Sequence, residues 1–203
     1  DHRHIQALIM TPTRELAIQV AEEIGKIGRI SKMKALPVYG GQPIDRQIRA
    51  LRSGVQIVIG TPGRLIDHIN RKTIKLDHIK FLVLDEADEM LDMGFVDDME
   101  EIMKNLPAER QTLLFSATMP RPILSLTKKY MKAPKNVTIS KEELTVPLID
   151  QYYFETKDKI EGLCRLLDAE IDGKLIIFCR TKKGVDDLAI ALGSRGYMAE
   201  GLH

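Results

Sequence analysis

Asp85 and Glu86 follow directly on the apolar run Phe81-Leu82-Val83-Leu84, so a strand buried on both faces would present two adjacent acids in a partly desolvated place. A hard divalent cation would neutralise them. Magnesium fits, because it keeps several waters and takes one or two carboxylates together with the phosphates of a substrate. In nucleotide hydrolysis one acid can hold the magnesium shell while its neighbour orients or deprotonates the attacking water. The competing reading is an acidic turn that starts the next helix, where carboxylates suit the helix dipole.

Other polar groups fall in the same kind of place. Thr11-Pro12-Thr13-Arg14, Gly40-Gly41, Gly60-Thr61-Pro62-Gly63-Arg64 and Ser116-Ala117-Thr118 each follow a short apolar run. In a parallel sheet all of them share the carboxyl edge, where open α/β folds bind ligands. Pro12 and Pro62 suit the first turn of a helix, whose free N–H groups and positive dipole end favour an anion. Arg14 and Arg64 stand beside those turns as phosphate partners. Thr caps and Pro starts are also ordinary helix punctuation, and only their pairing with an Arg at both places favours phosphate binding. Ser116 and Thr118 are close enough in principle to hydrogen-bond Asp88, or else they cap a helix beginning near Pro120.

The elements that must position these groups alternate in type. Strands are expected over Ala7–Met10, Leu36–Tyr39, Val55–Ile59, Phe81–Leu84, Thr112–Phe115, Val137–Ile139 and Leu175–Cys179. Glu15–Ile30 reads as an amphipathic helix with Leu16, Val20, Ile24 and Ile27 on one face. Further helices are expected over Asp45–Leu51, Leu65–Ile69, Val96–Asn105, Ile123–Met131, Lys159–Glu170 and Lys183–Arg195. The fold class is therefore α/β, built on a parallel sheet flanked by helices. The segment 141–148, with its charges and Pro147, reads as a linker between a first domain over 1–140 and the start of a second over 149–203.

With 203 residues, 44% hydrophobic and 29% charged, the chain can bury one full core and part of another, which excludes a disordered tail. The formal net charge of +1 means that any nucleic-acid site must be local. Cys164 and Cys179 lack metal-ligand spacing and are expected to be buried, and the histidines form no zinc-type motif. Lys128, Lys129, Lys132 and Lys135 read as a solvated helix face, and Met90, Met93, Met99 and Met103 as core packing. No apolar run is long enough to cross a bilayer, so a cytoplasmic location without membrane contact is expected. The start without Met and the stop at Gly201-Leu202-His203 suggest a fragment cut at both ends.

Taken in order, PTREL at 12–16, GG at 40–41, TPGR at 61–64, DEAD at 85–88 and SAT at 116–118 resemble the motifs of the DEAD-box ATP-dependent RNA helicases. LIIFCRT at 175–181 resembles their fourth motif and GLH at 201–203 the start of the segment after it. The wording VLDEADEMLDMGF and QTLLFSATMP is most similar to bacterial members, of the cold-shock and RNA-degradation type. The resemblance implies a RecA-like first domain followed by the start of a second, with ATP and magnesium as cofactors. It implies that Asp85 and Glu86 serve magnesium-ATP and the hydrolytic water, with Glu86 the better base. Asp88 would pair with Ser116 and Thr118 to couple ATP state to RNA work. Pro12, Thr13, Arg14, Gly40, Gly41, Thr61, Pro62, Gly63 and Arg64 would hold the RNA backbone, joined by Arg180 and Thr181 from the second domain. RNA-degradation or ribosome-assembly proteins are the partners this implies.

The departures from the family pattern also carry weight. A Gly-rich phosphate loop ending in Gly-Lys-Thr is absent, since Gly25-Lys26 and Gly173-Lys174 are followed by Ile27 and Leu175. The adenine-reading glutamine segment is missing, and the last motifs, with the arginine finger, lie beyond His203. The 203 residues by themselves are therefore expected not to turn over ATP. Two other readings compete: a non-catalytic RNA-binding or scaffold module, which would not need the Asp85-Glu86 pair, and a RecA-like ATPase stimulated by DNA.

Overall fold

The computed structural model describes residues 4–30, 33–138, 150, 152–169 and 173–203. Two compact units divide the chain, Asp1–Val137 and Thr138–His203.

The first unit is a five-stranded, wholly parallel sheet flanked by helices. Its strands are β1 (Ala7–Met10), β2 (Ala35–Val38), β3 (Ile57–Gly60), β4 (Phe81–Leu84) and β5 (Gln111–Leu114), in the order β2-β3-β1-β4-β5. Each was expected to within two residues. Register aligns their carboxyl ends: Met10 lies opposite both Gly60 and Leu84, Val38 opposite Gly60, and Leu84 opposite Leu114. Every polar group that follows a strand therefore emerges on one edge. The chain leaves β1 toward β2 on one side and β4 toward β5 on the other, so these neighbours flank the switch point where such sheets open a crevice.

Alternation along the strands feeds two cores. Leu8, Met10, Val58, Leu82 and Leu84 pack with Leu65, Met90, Met99, Ile102 and Ile123 on one face. The other face carries Ile9, Ile57 and Ile59, which join Ala17, Val20 and Ile24 of α1 (Arg14–Ile27). Ile27, expected on the buried face, is 80% exposed because the helix stops there, capped by Gly28. The remaining helices of this unit are α2 (Ile44–Arg52), α3 (Pro62–Asn70), α4 (Ala87–Asp92), α5 (Val96–Lys104) and α6 (Arg121–Tyr130). Met90, Met99 and Met103 are core residues, whereas Met93 ends α4 and is half exposed.

The second unit holds α7 (Lys159–Asp168) and α8 (Lys182–Gly193). The strand expected over Leu175–Cys179 is absent, and Ile176 and Phe178 are exposed. The physical reason is that a strand needs a neighbour to receive its ladder hydrogen bonds, and among the described residues this unit has none. Cys179 is accordingly half-buried, while Cys164 is buried as expected. Residues 137 and 138 form no strand either, and residue 139 lies outside the described residues, as does the expected linker over 141–148. No helix among the described residues is long and apolar enough to cross a membrane.

Candidate active site and nucleic-acid interface

At the end of β4 the Asp85 N–H donates to the Met10 carbonyl (3.0 Å), which continues the ladder one residue past the strand and leaves Asp85 half-buried beside β1. Glu86 then adopts a left-handed backbone, φ 51° and ψ 54°, and starts α4 without a capping bond from its side chain. A residue with a Cβ in this region carries strain of about 1–2 kcal/mol, a feature that gathers at functional turns. The Glu86 carboxylate makes no hydrogen bond to the helix that the residue begins. The acidic-cap reading therefore fails for Glu86, and the acids in the first turn of α4 are Asp88 and Glu89. Lost hydration, then the charges of Asp85, Glu89 and Asp88, hold the Glu86 carboxyl above its ordinary pKa. That shift suits a proton acceptor.

Asp88 is tied across the edge to the segment after β5. Its Oδ2 accepts from the Thr118 N–H (2.8 Å) and the Thr118 hydroxyl (2.9 Å), and its own N–H donates to Ser116 Oγ (3.1 Å). Ser116 in turn donates to the Thr118 carbonyl (2.6 Å). Burial pushes the Asp88 carboxyl up, but the Thr118 and Ser116 hydrogen bonds outweigh it, so the net pKa is lowered. Neither hydroxyl caps α6, which begins after Pro120 without a side-chain cap bond.

The two Thr-Pro turns differ. Thr13 caps α1, its hydroxyl accepting from Leu16 N (3.3 Å), and the preceding Pro12 is buried. Thr61 makes no such bond, and Pro62 opens α3. Arg14 is exposed beside Glu15 (2.8 Å), and one of its terminal nitrogens lies 4.0 Å from the point where a Cβ on Gly41 would sit. Gly41 has φ 81°, which requires glycine-like freedom, whereas Cβ atoms at Gly40 and Gly63 would meet only open space. The fold does not demand glycine at those two positions, and a ligand backbone approaching closely would.

Arg64 is not splayed into solvent. Its side chain is 14% exposed, and Nη1 donates to the Gln42 carbonyl (3.0 Å) and to Gln47 Oε1 (3.0 Å). Buried Gln47 and His68, which complete this network, went unnoticed in sequence reasoning. The available signal was their place in apolar stripes, Gln47 beside Ile44, Ile48 and Leu51, and His68 beside Leu65 and Ile69. Arg180 and Thr181 belong to the second unit, where Thr181 Oγ1 caps α8 by accepting from Gly184 N (3.0 Å).

Among the described residues no group of three or more His, Cys, Asp or Glu could hold a metal. The hard oxygens of Asp85 and Glu86 fit a magnesium ion delivered with phosphates, which needs one or two carboxylates from the protein. On the surface of α6, Lys129 pairs with Glu100 (2.6 Å), and just beyond it Lys132 pairs with Glu109 (2.6 Å), as expected of a solvated face.

Comparison with known proteins adds the family. The chain is 56% identical over 98% of its length to the DEAD-box ATP-dependent RNA helicase CshA of Geobacillus kaustophilus, covering 43% of that protein. It is 54% identical over 98% of its length to CshA of Bacillus subtilis, covering 41% of it. The crystal structure of a DEAD box protein from Methanococcus jannaschii superposes with a TM-score of 0.67 at 44% identity, over 99% of this chain and 54% of that one. The chain thus spans about two fifths of the curated relatives it matches. Residues 1–126 match the family model described as DEAD/DEAH box helicase, and the chain belongs to that family.

Proposed function

We propose that this chain is part of an ATP-dependent RNA helicase, in which Asp85 and Glu86 serve nucleotide hydrolysis and the turns after β1, β2 and β3 grip an RNA backbone. The observation that carries this reading is the shared edge: aligned strand ends bring an acid pair, a bonded Asp88–Thr118 bridge and glycines facing open space to one side of the sheet.

Bound magnesium would offset phosphate charge on the nucleotide, with Asp85 the residue placed to hold it through water. Glu86, with its raised pKa, accepts the proton of the attacking water. Asp88, Ser116 and Thr118 transmit the state of that site to the segment after β5. Thr13, Arg14, Gly40, Gly41, Thr61, Pro62 and Gly63 present helix N-termini, positive charge and uncovered backbone to phosphates, with buried Pro12 and the inward-turned Arg64 bracing those turns from behind, a grip that positions a strand without reading its bases. Arg180 and Thr181 extend it from a second domain, which we place after the linker over 141–148. Preferred binding of both ligands to a closed form of two such domains links ATP to strand separation. The 203 residues contain no Gly-Lys-Ser/Thr loop, so hydrolysis belongs to the longer protein.

The test is ATP hydrolysis by the protein at the length of its relatives, with no nucleic acid, with single-stranded RNA and with single-stranded DNA. Stimulation by RNA alone is the expected result. Stimulation by DNA alone would move the assignment to a DNA-dependent ATPase, and no stimulation by either would favour a module that binds without catalysis.

A further inference from the structure

Behind the glycine turn lies a polar chain whose inner members are buried. Gln47 on α2 is 3% exposed and His68 on α3 fully buried. Gln47 Nε2 donates to the Tyr39 carbonyl (3.0 Å), while its Oε1 accepts from Arg64 Nη1 (3.0 Å) and faces His68 Nε2 (3.0 Å). The same Arg64 nitrogen donates to the Gln42 carbonyl (3.0 Å), so one amide and one guanidinium close the Tyr39–Gln42 turn from both ends. The amide cannot be reversed, because a guanidinium only donates and a carbonyl only accepts. With its oxygen facing both groups, His68 must carry a proton on Nε2, and its Nδ1 faces the Thr73 hydroxyl (2.8 Å).

A buried amide and imidazole are costly unless fully bonded, and here packing alone would be served by apolar residues in both stripes. We propose that Gln47, backed by His68, is a positioning residue for RNA: it acts through Arg64 to hold the Gly40-Gly41-Gln42 turn and the first turn of α3 in the geometry that receives the phosphodiester backbone. This rests on the RNA reading given above.

The experiment measures affinity for a fluorescein-labelled oligouridine, and thermal stability, in the protein at the length of its relatives. Gln47→Met and Arg64→Ala are each expected to weaken binding about tenfold, the loss of roughly one charge-assisted hydrogen bond. Their combination is expected to bind no worse than Arg64→Ala alone, since residues acting through one contact do not add. The pair Gln47→Met/His68→Leu leaves no unpaired imidazole and deprives only the Tyr39 carbonyl of its donor, so thermal stability reports whether it folds, and the folded pair is expected to lose about tenfold in affinity. Full affinity in that folded pair, or losses that simply add to Arg64→Ala, would overturn the proposal. If the unsubstituted protein fails to bind the oligouridine, the RNA reading itself falls and takes this proposal with it.

Discussion

Two residues show how local physics sets the chemistry. Glu86 is held in a strained backbone with its pKa raised, where a relaxed helix start would have used its carboxylate as a cap. His68 is driven the other way: burial first, then the charge of Arg64, keeps its pKa below the ordinary imidazole value of 6.5. The sign of the linkage follows. An unfolded chain takes up a proton at mildly acid pH that the folded chain refuses, so this contribution to stability is complete above 6.5 and is lost as pH falls below it. Denaturant titrations at a series of pH values should show that loss, and His68→Gln should make it shallower; an unchanged slope would mean that His68 accepts its proton in the folded state. The acids were legible in the sequence because they interrupt an apolar run. Gln47 and His68 were not, because one polar residue in an apolar helix stripe looks the same whether it is bonded or merely tolerated.

Elements carry those residues to the edge, and their junctions leave little room. A Cβ on Gly60 would sit 2.7 Å from Leu65 Cδ2 and 2.9 Å from the Val38 carbonyl, so β3 and the start of α3 close on each other only with glycine there. Gly60→Ala is expected to destabilise the fold by about 1–3 kcal/mol, as overpacking does, read as a lowered denaturation midpoint with an unchanged slope. The bridge from α4 to the segment after β5 is a junction of another kind, made by Asp88 with Thr118. In the longer protein, Thr118→Ala should cut duplex separation by about tenfold while RNA-stimulated ATP turnover changes little, since one of the bonds to Asp88 is lost and the acid pair is untouched. Equal losses in both assays would place Thr118 in hydrolysis itself. The five strands of the first unit were legible because continuous aliphatic runs mark a sheet covered on both faces. α4 was missed because its six residues are too few to show a helical period. Leu175–Cys179 misled for a different reason: its composition suits a strand, but strand formation depends on neighbours that no local pattern can report.

At the scale of the molecule, the chain pairs a five-stranded parallel sheet with a second unit of two described helices, and it spans about two fifths of the curated relatives it matches. On the proposed reading, the edge where β1, β2, β3 and β4 end is a hydrolytic site linked to an RNA grip. ATP turnover in the presence of single-stranded RNA, compared between the protein at the length of its relatives and its Glu86→Gln variant, tests that claim most directly. Turnover is expected to fall by at least about a hundredfold, within the range general-base catalysis supplies, while nucleotide and RNA affinities stay within about twofold. A variant that hydrolyses ATP at the original rate would contradict that claim.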